Sequence, residues 1–392
     1  MRPGITIQHA ALPERPPGIV RGDIAAMLCF VPRARWPEDA SSGDYTEVTL
    51  RRAVELREHP HRELVDDVTA RAAVAYFDNG GDTLHLFAVC VEDVNELQHR
   101  DEEHGPLAAL LRRLRSDDDL GLIAAPSAAT WRCDVRRDGT VRSVADALWD
   151  DLLLLCRQVN HRFLVIDAPR DLHGEGLVRW VEALRARDAE NRAFGAVYYP
   201  WLRQGDALVA PSGALMGLMA RLELDRAPFG ISEPPANAPL RGVTHPEVDL
   251  DWGEVSQLNE AHVNALISQP GRGVVAWGAR TLSRDPAWIH VNSRRVVGLI
   301  AEQLRRDNEW AVFESNVPEL WKVLERDVSV RLREFWEAGL IAGTRARPEF
   351  AVRCDSETNP AELRETGGLN VAVALTPIGT TESILVDLRI GG

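Results

Sequence analysis

The last residues of the chain alternate between apolar and polar positions. Ile384, Val386, Leu388 and Ile390 are apolar at every second position, and charged residues such as Asp387 lie between them. A period of two predicts a β-strand with one buried face. Because an edge strand carries unpaired backbone groups, this strand needs a partner, either in its own domain or in another molecule.

Upstream, apolar strand segments alternate with amphipathic helix segments. A strand is predicted at about 84–91, after the turn Asn79-Gly80-Gly81, and another at "FLVIDAP", which ends in Asp167. Strands and helices that alternate at this spacing predict an α/β region, with parallel strands.

The pattern changes after Ala207, where loops and longer helices dominate. A helix is predicted over 317–338, with Asn316 as N-cap, Glu319 completing a capping box, and Gly339 as the left-handed stop. The segment "LNEAHVNALI" is also interpreted as helical. The apolar face of the long helix comprises Leu320, Leu324, Val328, Leu332 and Phe335.

These patterns predict an α+β protein of two domains with extended ends. The predicted parts are an N-terminal extended arm and first core strand over 1–25, an α/β middle domain over 26–200, an α+β core domain over 201–380, and a C-terminal β arm over 381–392. A chain of 392 residues is longer than one ordinary core usually requires, and this length favours two or three domains.

Composition narrows the function classes. The formal net charge is −14, from 45 basic and 59 acidic residues, which argues against nucleic acid as the main partner. The sequence has no run of about 18 apolar residues that would span a membrane, and its first residues lack the apolar core of a signal peptide. We therefore expect synthesis in the cytoplasm without export through a standard signal.

The five cysteines are expected to be free core residues. None forms a CxxC pair or lies at zinc-ligand spacing from a histidine, and most have apolar neighbours. They are Cys29, Cys90, Cys133, Cys156 and Cys354.

Candidate catalytic residues are few. Asp167 ends an apolar strand, as the Mg²⁺-binding aspartate of a nucleotide site does, but the phosphate-binding loop needs a lysine, and the only lysine, Lys322, lies inside the long helix. "HGEG" at 173–176 is interpreted as a loop, and "HPHRE" at 59–63 and "SDDDL" at 116–120 as solvated surface. The sequence predicts no catalytic, cofactor-binding or metal-ligating set and no enzyme; a nucleotide- or metal-dependent α/β enzyme is the alternative from another class.

Several sequence blocks, in order, resemble the tail sheath proteins of contractile phage tails, R-type bacteriocins and extracellular contractile injection systems. The likeness runs from about Ala73 to the C-terminus and is densest from Pro211 onward, whereas residues 33–69 depart from the family pattern. The blocks include "AVYYPWL", "PSGALMGLMARLELDRAPFGISEPPANAPLRGV", "WGARTLS", "VNSRRVVGLIAEQL", "VFESNVPELWKVL" and "FAVRCDSETNPAELRETGGLNVAVAL".

The resemblance implies a structural polymer. Family members form stacked hexameric rings around an inner tube, and the stack contracts without nucleotide to drive the tube through a target envelope. The implied partners are the chain itself, the inner tube protein, and baseplate and terminator proteins, with neither nucleic acid nor membrane. After assembly in the cytoplasm, the subunit would be part of a phage-tail-like particle. A specialised sheath paralogue near the baseplate or at the tail end is an alternative.

The resemblance also implies roles for specific residues. In the family, N- and C-terminal arms complete a small sheet in the core domains of neighbouring subunits, by β-strand addition. A terminal strand paired within its own domain is the alternative. Contact with the inner tube is implied for Glu362, Arg364 and Glu365, and a plain surface loop is the alternative there. The arm residues would be Ile5, Ile7, Ile384, Val386, Leu388 and Ile390.

Overall fold

A computed structural model of the chain describes residues 20–37, 45–59, 62–93, 106–136, 138–226, 230–344, 347–380 and 383–390. Over these residues the strands are β1 (Ile24–Pro32), β2 (Tyr45–Leu50), β3 (Leu84–Val91), β4 (Leu120–Ala124), β5 (Cys133–Val135), β6 (Val141–Ser143), β7 (Phe163–Asp167), β8 (Gly195–Tyr199), β9 (Leu202–Gln204), β10 (Ala207–Val209), β11 (His245–Pro246), β12 (Val263–Gln269), β13 (Gly273–Ala276), β14 (Gly343–Thr344), β15 (Arg347–Pro348), β16 (Phe350–Arg353), β17 (Leu369–Leu375) and β18 (Ile384–Ile390). The helices are α1 (Ala53–Glu58), α2 (Asp67–Asp78), α3 (Pro106–Ser116), α4 (Asp146–Val159), α5 (Gly174–Arg185), α6 (Pro211–Asp225), α7 (Trp252–Glu260), α8 (Val291–Asp307), α9 (Pro318–Glu337) and α10 (Ala361–Glu365).

The main sheet has eight strands in the order β13-β12-β8-β7-β4-β1-β3-β2. The six strands from β12 to β3 are parallel, whereas β2 and β13 pair antiparallel at the two edges. The chain moves from β1 to β3 on one side and then to β4 on the other, which makes a topological switch point between β1 and β4. The predicted α/β region with parallel strands is therefore present.

Helices cover both faces of this sheet. One apolar core lies under α3, α4, α5 and α7, and the other lies under α1, α2 and α6. Glycine allows α2 and α6 to approach closely, because a Cβ added at Gly213 would lie 2.0 Å from the carbonyl oxygen of Ala72. The helices thus bury the near-continuous apolar strands on both faces, as a parallel sheet requires.

The domain boundary predicted at residue 200 does not coincide with an edge of the sheet. β12 and β13 come after that residue and belong to the same eight-stranded sheet. The "VNALIS" segment, interpreted as helical, is part of β12, which is a correction. His262 has a positive φ of 63°, so the chain turns sharply between the end of α7 at Glu260 and β12.

A third apolar core lies in the C-terminal part of the chain. It is built by one face of α8, by α9 and by a three-stranded sheet in the order β16-β17-β18. The predicted apolar face of α9 is buried, with Leu324, Val328 and Leu332 fully inaccessible. Gly339 ends α9 at a φ of 86°, as predicted.

The start of α9 differs from the prediction. The N-cap residue is Val317, and no side chain caps the first turn. Asn316 instead accepts a hydrogen bond from Trp321 Nε1 and donates to the carbonyl oxygen of Gly368, which joins α9 to the loop before β17. The Asn316 side chain, predicted to cap α9, therefore makes tertiary hydrogen bonds and leaves the first turn uncapped.

Burial of the cysteines agrees with their predicted role. All five are free; Cys133 is half-buried, and the other four are buried. Burial raises the pKa of the Cys156 thiol to about 12, which keeps it protonated and unreactive. Among the helices that the structure describes, none combines the length and the apolar character needed to cross a bilayer.

Candidate assembly surface

The C-terminal sheet brings together the residues predicted for the C-terminal arm. β18 pairs antiparallel with β17 over seven residues, from Leu369 opposite Ile390 to Leu375 opposite Ile384. Ile384, Leu388 and Ile390 are buried and Val386 is partly buried, while Leu385, Asp387 and Arg389 are exposed. The predicted strand and its apolar face are confirmed. In the single chain, the partner strand is its own β17.

On its other side, β17 is paired only in part. β16 pairs with Ala372–Leu375, and beyond it the side chain of Asn359 continues the ladder. Asn359 Oδ1 accepts from the amide of Asn370 at 2.8 Å, and Asn359 Nδ2 donates to the carbonyl oxygen of Asn370 at 2.9 Å. Asn359 is completely buried. The loop before α10 is therefore fixed to the sheet, and sequence periodicity gave no signal for this residue.

A groove runs beside β18. Its volume is about 480 Å³, and one wall is formed by Val386–Arg389. α8 contributes Ala301, Glu302 and Arg305, and the ends of α3 and α4 contribute residues such as Arg115 and Asn160. Since β18 is the last strand in its sheet, this groove separates its free side from the main α/β body.

Exposed apolar side chains lie close to the same strand. The 3₁₀ turn Glu309–Phe313 contacts β18, and its Phe313 is 90% exposed. Trp310 and Val312 of this turn are also exposed. A cluster of exposed apolar side chains is typical of a surface that a protein partner covers.

The residues predicted to contact the inner tube lie on one short helix. Glu362, Arg364 and Glu365 are on α10, and all three are exposed. The Arg364 guanidinium lies 5.9 Å from the ring centre of Trp321, an arrangement that fits a weak cation–π contact. The structure thus presents these charges at the surface, on a helix anchored to α9.

The N-terminal arm residues Ile5 and Ile7 lie outside the described residues. The described chain begins at Val20, whose amide donates to Gln303 Oε1 of α8 at 2.8 Å. Val20 is buried in the C-terminal core. Val20 therefore lies at the same part of the fold as the C-terminal sheet.

The switch point of the main sheet, where doubly wound folds bind ligands, is filled by protein. The 3₁₀ turn Pro126–Thr130 follows β4 directly and contacts β1. Trp131 packs edge-to-face on Phe30 near the end of β1, with ring centres 5.0 Å apart. The turn after β4 and the Trp131 side chain therefore occupy the end of β1 next to the switch point.

Asp167 has a structural partner. Its carboxylate accepts hydrogen bonds from the amide and the hydroxyl of Ser212, both at 2.6 Å, at the start of α6. Burial raises the pKa of Asp167 to about 7, against the lowering effect of these bonds. Asp167, which the sequence analysis compared with a magnesium-binding aspartate, therefore joins β7 to the start of α6.

One group of side chains has the composition of a metal site. Ligand atoms of Glu47, His85 and Asp117 lie within 4.8 Å of one another. The guanidinium of Arg113 donates to both carboxylate oxygens of Glu47, at 2.9 and 2.8 Å, and to Asp117 at 2.9 Å. Arg113 already supplies the positive charge, so the group is an ion-pair network that joins β2, β3 and α3.

His173, in the "HGEG" segment, is the N-cap residue of α5, and its imidazole is hydrogen-bonded to the Tyr199 hydroxyl at 2.9 Å. The segment is therefore the start of a helix, whereas the sequence interpretation was a loop. Within "SDDDL", Asp117 is half-buried against Arg113, so that stretch is only partly solvated.

Two curated proteins with similar sequences are tail sheath proteins. No protein-family model matches the chain. The tail sheath protein of Escherichia phage P2 is 25% identical over 181 residues, which is 45% of this chain and 43% of the phage protein. A putative prophage major tail sheath protein of Pseudomonas aeruginosa (strain UCBPP-PA14) is 27% identical over 163 residues, 40% of each chain. The matches thus span less than half of these relatives.

Solved structures match over nearly the whole chain. A chain of the anti-feeding prophage baseplate has a TM-score of 0.69 at 21% identity, covering 98% of both chains. A chain of the contracted PVC sheath complex, an extracellular contractile injection system, has a TM-score of 0.69 at 21% identity, covering 98% of this chain and 96% of the other. The resemblance predicted from the sequence is confirmed: the chain is similar in sequence to tail sheath proteins over part of its length, and similar in fold to chains of contractile sheath assemblies over nearly all of it.

Proposed function

We propose that the chain is a sheath subunit that polymerises as stacked hexameric rings around an inner tube and contracts to drive the tube through a target envelope. The observation that carries this proposal is the whole-length match to sheath-complex chains, with 98% of this chain covered. The partners would be other copies of the chain, the inner tube protein, and baseplate and terminator proteins. Assembly would take place in the cytoplasm of the producing cell.

We propose that assembly uses the C-terminal sheet. β18 has a buried apolar face and lies at a sheet edge, so it has the properties needed for strand addition to another subunit. The Ile5–Ile7 segment would be the matching arm at the other end. Val20 and β18 are both attached to the C-terminal core, which supports a common role for the two ends.

We further propose that α10 faces the inner tube in the extended sheath. Its exposed charged side chains would make polar contacts of the surface type, and such contacts contribute about 0–1 kcal/mol each. Contacts of this strength are suited to an interface that must release when the sheath contracts. Asn359 ties the loop before α10 to β17, and Arg364 of α10 lies over the Trp321 ring of α9. These contacts support a fixed orientation of the charged side chains of α10.

Electron microscopy tests the proposal directly. The full-length chain, purified alone and also co-expressed with the inner tube protein of the same particle, would be imaged in negative stain at high concentration. We expect hollow, helically striated tubes of uniform diameter. Single rings would indicate the specialised baseplate or tail-end copy. Monomers in both preparations would contradict the sheath proposal.

A further inference from the structure

The terminal strand fills a position in its own sheet completely. Each of the seven residues of β18 is paired with β17, and Ile384 and Leu388 are only 3% and 5% exposed. A β18 strand from another subunit would need the same edge of β17 and the same apolar surface of the C-terminal core. Two strands cannot occupy this position at once.

The turn before β18 has its own attachment to the fold, which does not involve the strand. The amide of Ile378 donates to the carbonyl oxygen of Leu340 at 2.9 Å, and the amide of Ala342 donates to that of Thr376 at 2.8 Å. These bonds hold the start of the connection on the end of α9.

We propose that β18 is a reversible intramolecular cap on assembly. In the free subunit it pairs with its own β17, and it must be displaced before a neighbour's strand can take its place and before it can join another subunit. This inference rests on the proposed function, because it specifies how assembly through that sheet is controlled.

The balance between the closed and the exchanged form depends on concentration. The closed and exchanged forms contain the same contacts between β18, β17 and the core, as in domain swapping, so neither is favoured by the strand itself. Dilution favours the closed form, because its partner strand is always within reach of the tether. At the end of a growing polymer, neighbouring sheets supply a high local concentration, and exchange becomes competitive.

Hydrogen exchange of the dilute full-length subunit tests the closed form without requiring a polymer. Because β18 is an edge strand, every second amide points towards β17; we expect these amides to exchange at least 100-fold more slowly than those of a synthetic peptide with the sequence of 383–392. Exchange at the rate of the peptide would overturn the proposal, because the strand would then be free before assembly.

A cross-strand disulfide tests the need for opening. Ala374 lies directly opposite Leu385 on the outward face, so Ala374→Cys with Leu385→Cys would bind β18 to its own β17 with little change to the core. We expect the oxidised double variant to form at least tenfold less sedimentable polymer than its reduced form. The single variants Ala374→Cys and Leu385→Cys, oxidised in the same way, are the matched controls and should assemble like the parent chain.

The outcomes separate the cap from the proposed function. Equal assembly of the oxidised and reduced double variants would overturn the cap, although the sheath function would stand. Slow exchange at β18 in a chain that forms no polymer in any redox state, with or without its inner tube, would contradict the sheath function and leave β18 as an ordinary internal strand, which also overturns the cap.

Discussion

The side-chain amide of Asn359 pairs with the backbone of Asn370 as a neighbouring strand would, donating to its carbonyl oxygen and accepting from its amide. Asn359 is completely buried, so both bonds are shielded from water. The pair holds the loop before α10 against the middle strand of the C-terminal sheet. The same sheet carries the terminal strand, so this contact links the proposed tube-facing loop to the proposed exchange surface.

Asn359→Ala should weaken the C-terminal unit. It leaves the Asn370 amide without its partner and the Asn370 carbonyl oxygen with only a long hydrogen bond from the Cys354 thiol; a buried polar group without a hydrogen bond costs about 1–3 kcal/mol. We expect the free energy of unfolding, from urea titrations, to fall by about 2–4 kcal/mol. Thr366→Ala, which removes an exposed hydrogen bond to the carbonyl oxygen of Leu363 at the other end of α10, is the control and should cost under about 1 kcal/mol. Equal losses for the two variants would contradict a special role for Asn359.

The two faces of β18 should respond differently to charge. Leu388 is 5% exposed and Leu385 is 67% exposed, although both are leucines of the same strand. Leu388→Asp would place an unpaired carboxylate in the core, so we expect at least a tenfold loss of sedimentable polymer. Leu385→Asp places the same charge on the wet face and should assemble at nearly the parent level.

This comparison is informative because the two variants have the same composition and net charge. Circular dichroism would establish that the main α/β sheet is retained in both. Normal polymer formation by Leu388→Asp would show that the apolar face of β18 is not buried in the assembled state, and the strand-addition proposal would be wrong.

Regular local patterns were predicted well. The alternation at Ile384–Ile390 and the apolar stripe of α9 were both found as expected, because each depends on a period that a single segment carries in its own sequence. The buried strands β3 and β7 were found for the same reason: both are short apolar runs followed by breakers or by a polar residue.

Features that depend on distant partners were missed. Asn316 stands where an N-cap is expected, but its side chain bonds to Trp321 and Gly368, which sequence spacing does not bring together. β12 was interpreted as helical because a buried strand shows no alternation, and only the left-handed conformation of His262 separates it from α7. Asn359 had no signal at all, because its role is a hydrogen-bonding position in the assembled sheet.

The sequence alone does not identify the strand that pairs with β18. The sequence predicts the strand and its apolar face but contains nothing that distinguishes the chain's own β17 from the same strand of a neighbour, because the two are identical. The structure gives the single-chain solution. Choice between the two is a matter of concentration and tether length, which are properties of the assembly.

Charge reversal on α10 should affect the assembly and leave the fold intact. Glu362 and Glu365 are exposed, so Glu362→Arg with Glu365→Arg should change the free energy of unfolding by less than about 1 kcal/mol. If α10 faces the inner tube, we expect a several-fold change in the fraction of inner tube protein that sediments with the sheath.

The control for this prediction is a charge reversal far from the C-terminal sheet. Glu260→Arg changes an exposed residue at the end of α7, on the main α/β body, and should leave association with the inner tube unchanged. Glu260→Arg makes half the charge change of the α10 double variant. If it altered tube association about half as much, the effect would come from net charge, and α10 would lose its assigned role.

The buried carboxyl group of Asp167 should make stability depend on pH. Burial raises its pKa from 3.8 to about 7, so between these values the folded chain holds a proton that the unfolded chain releases. The contribution of Asp167 to the free energy of unfolding is therefore greatest below pH 4. It falls by about 1.4 kcal/mol per pH unit as the pH rises towards 7, and it is constant above pH 7.

Burial lowers the pKa of His161 to about 4, and this group changes the free energy of unfolding in the opposite direction, so a pH titration of the parent chain alone would not isolate Asp167. Urea titrations from pH 4.5 to 8 should instead compare the parent with Asp167→Asn: the stability difference between them should fall with pH up to about 7 and then level off. A difference that is constant with pH would show that Asp167 is ionised in the folded chain throughout this range.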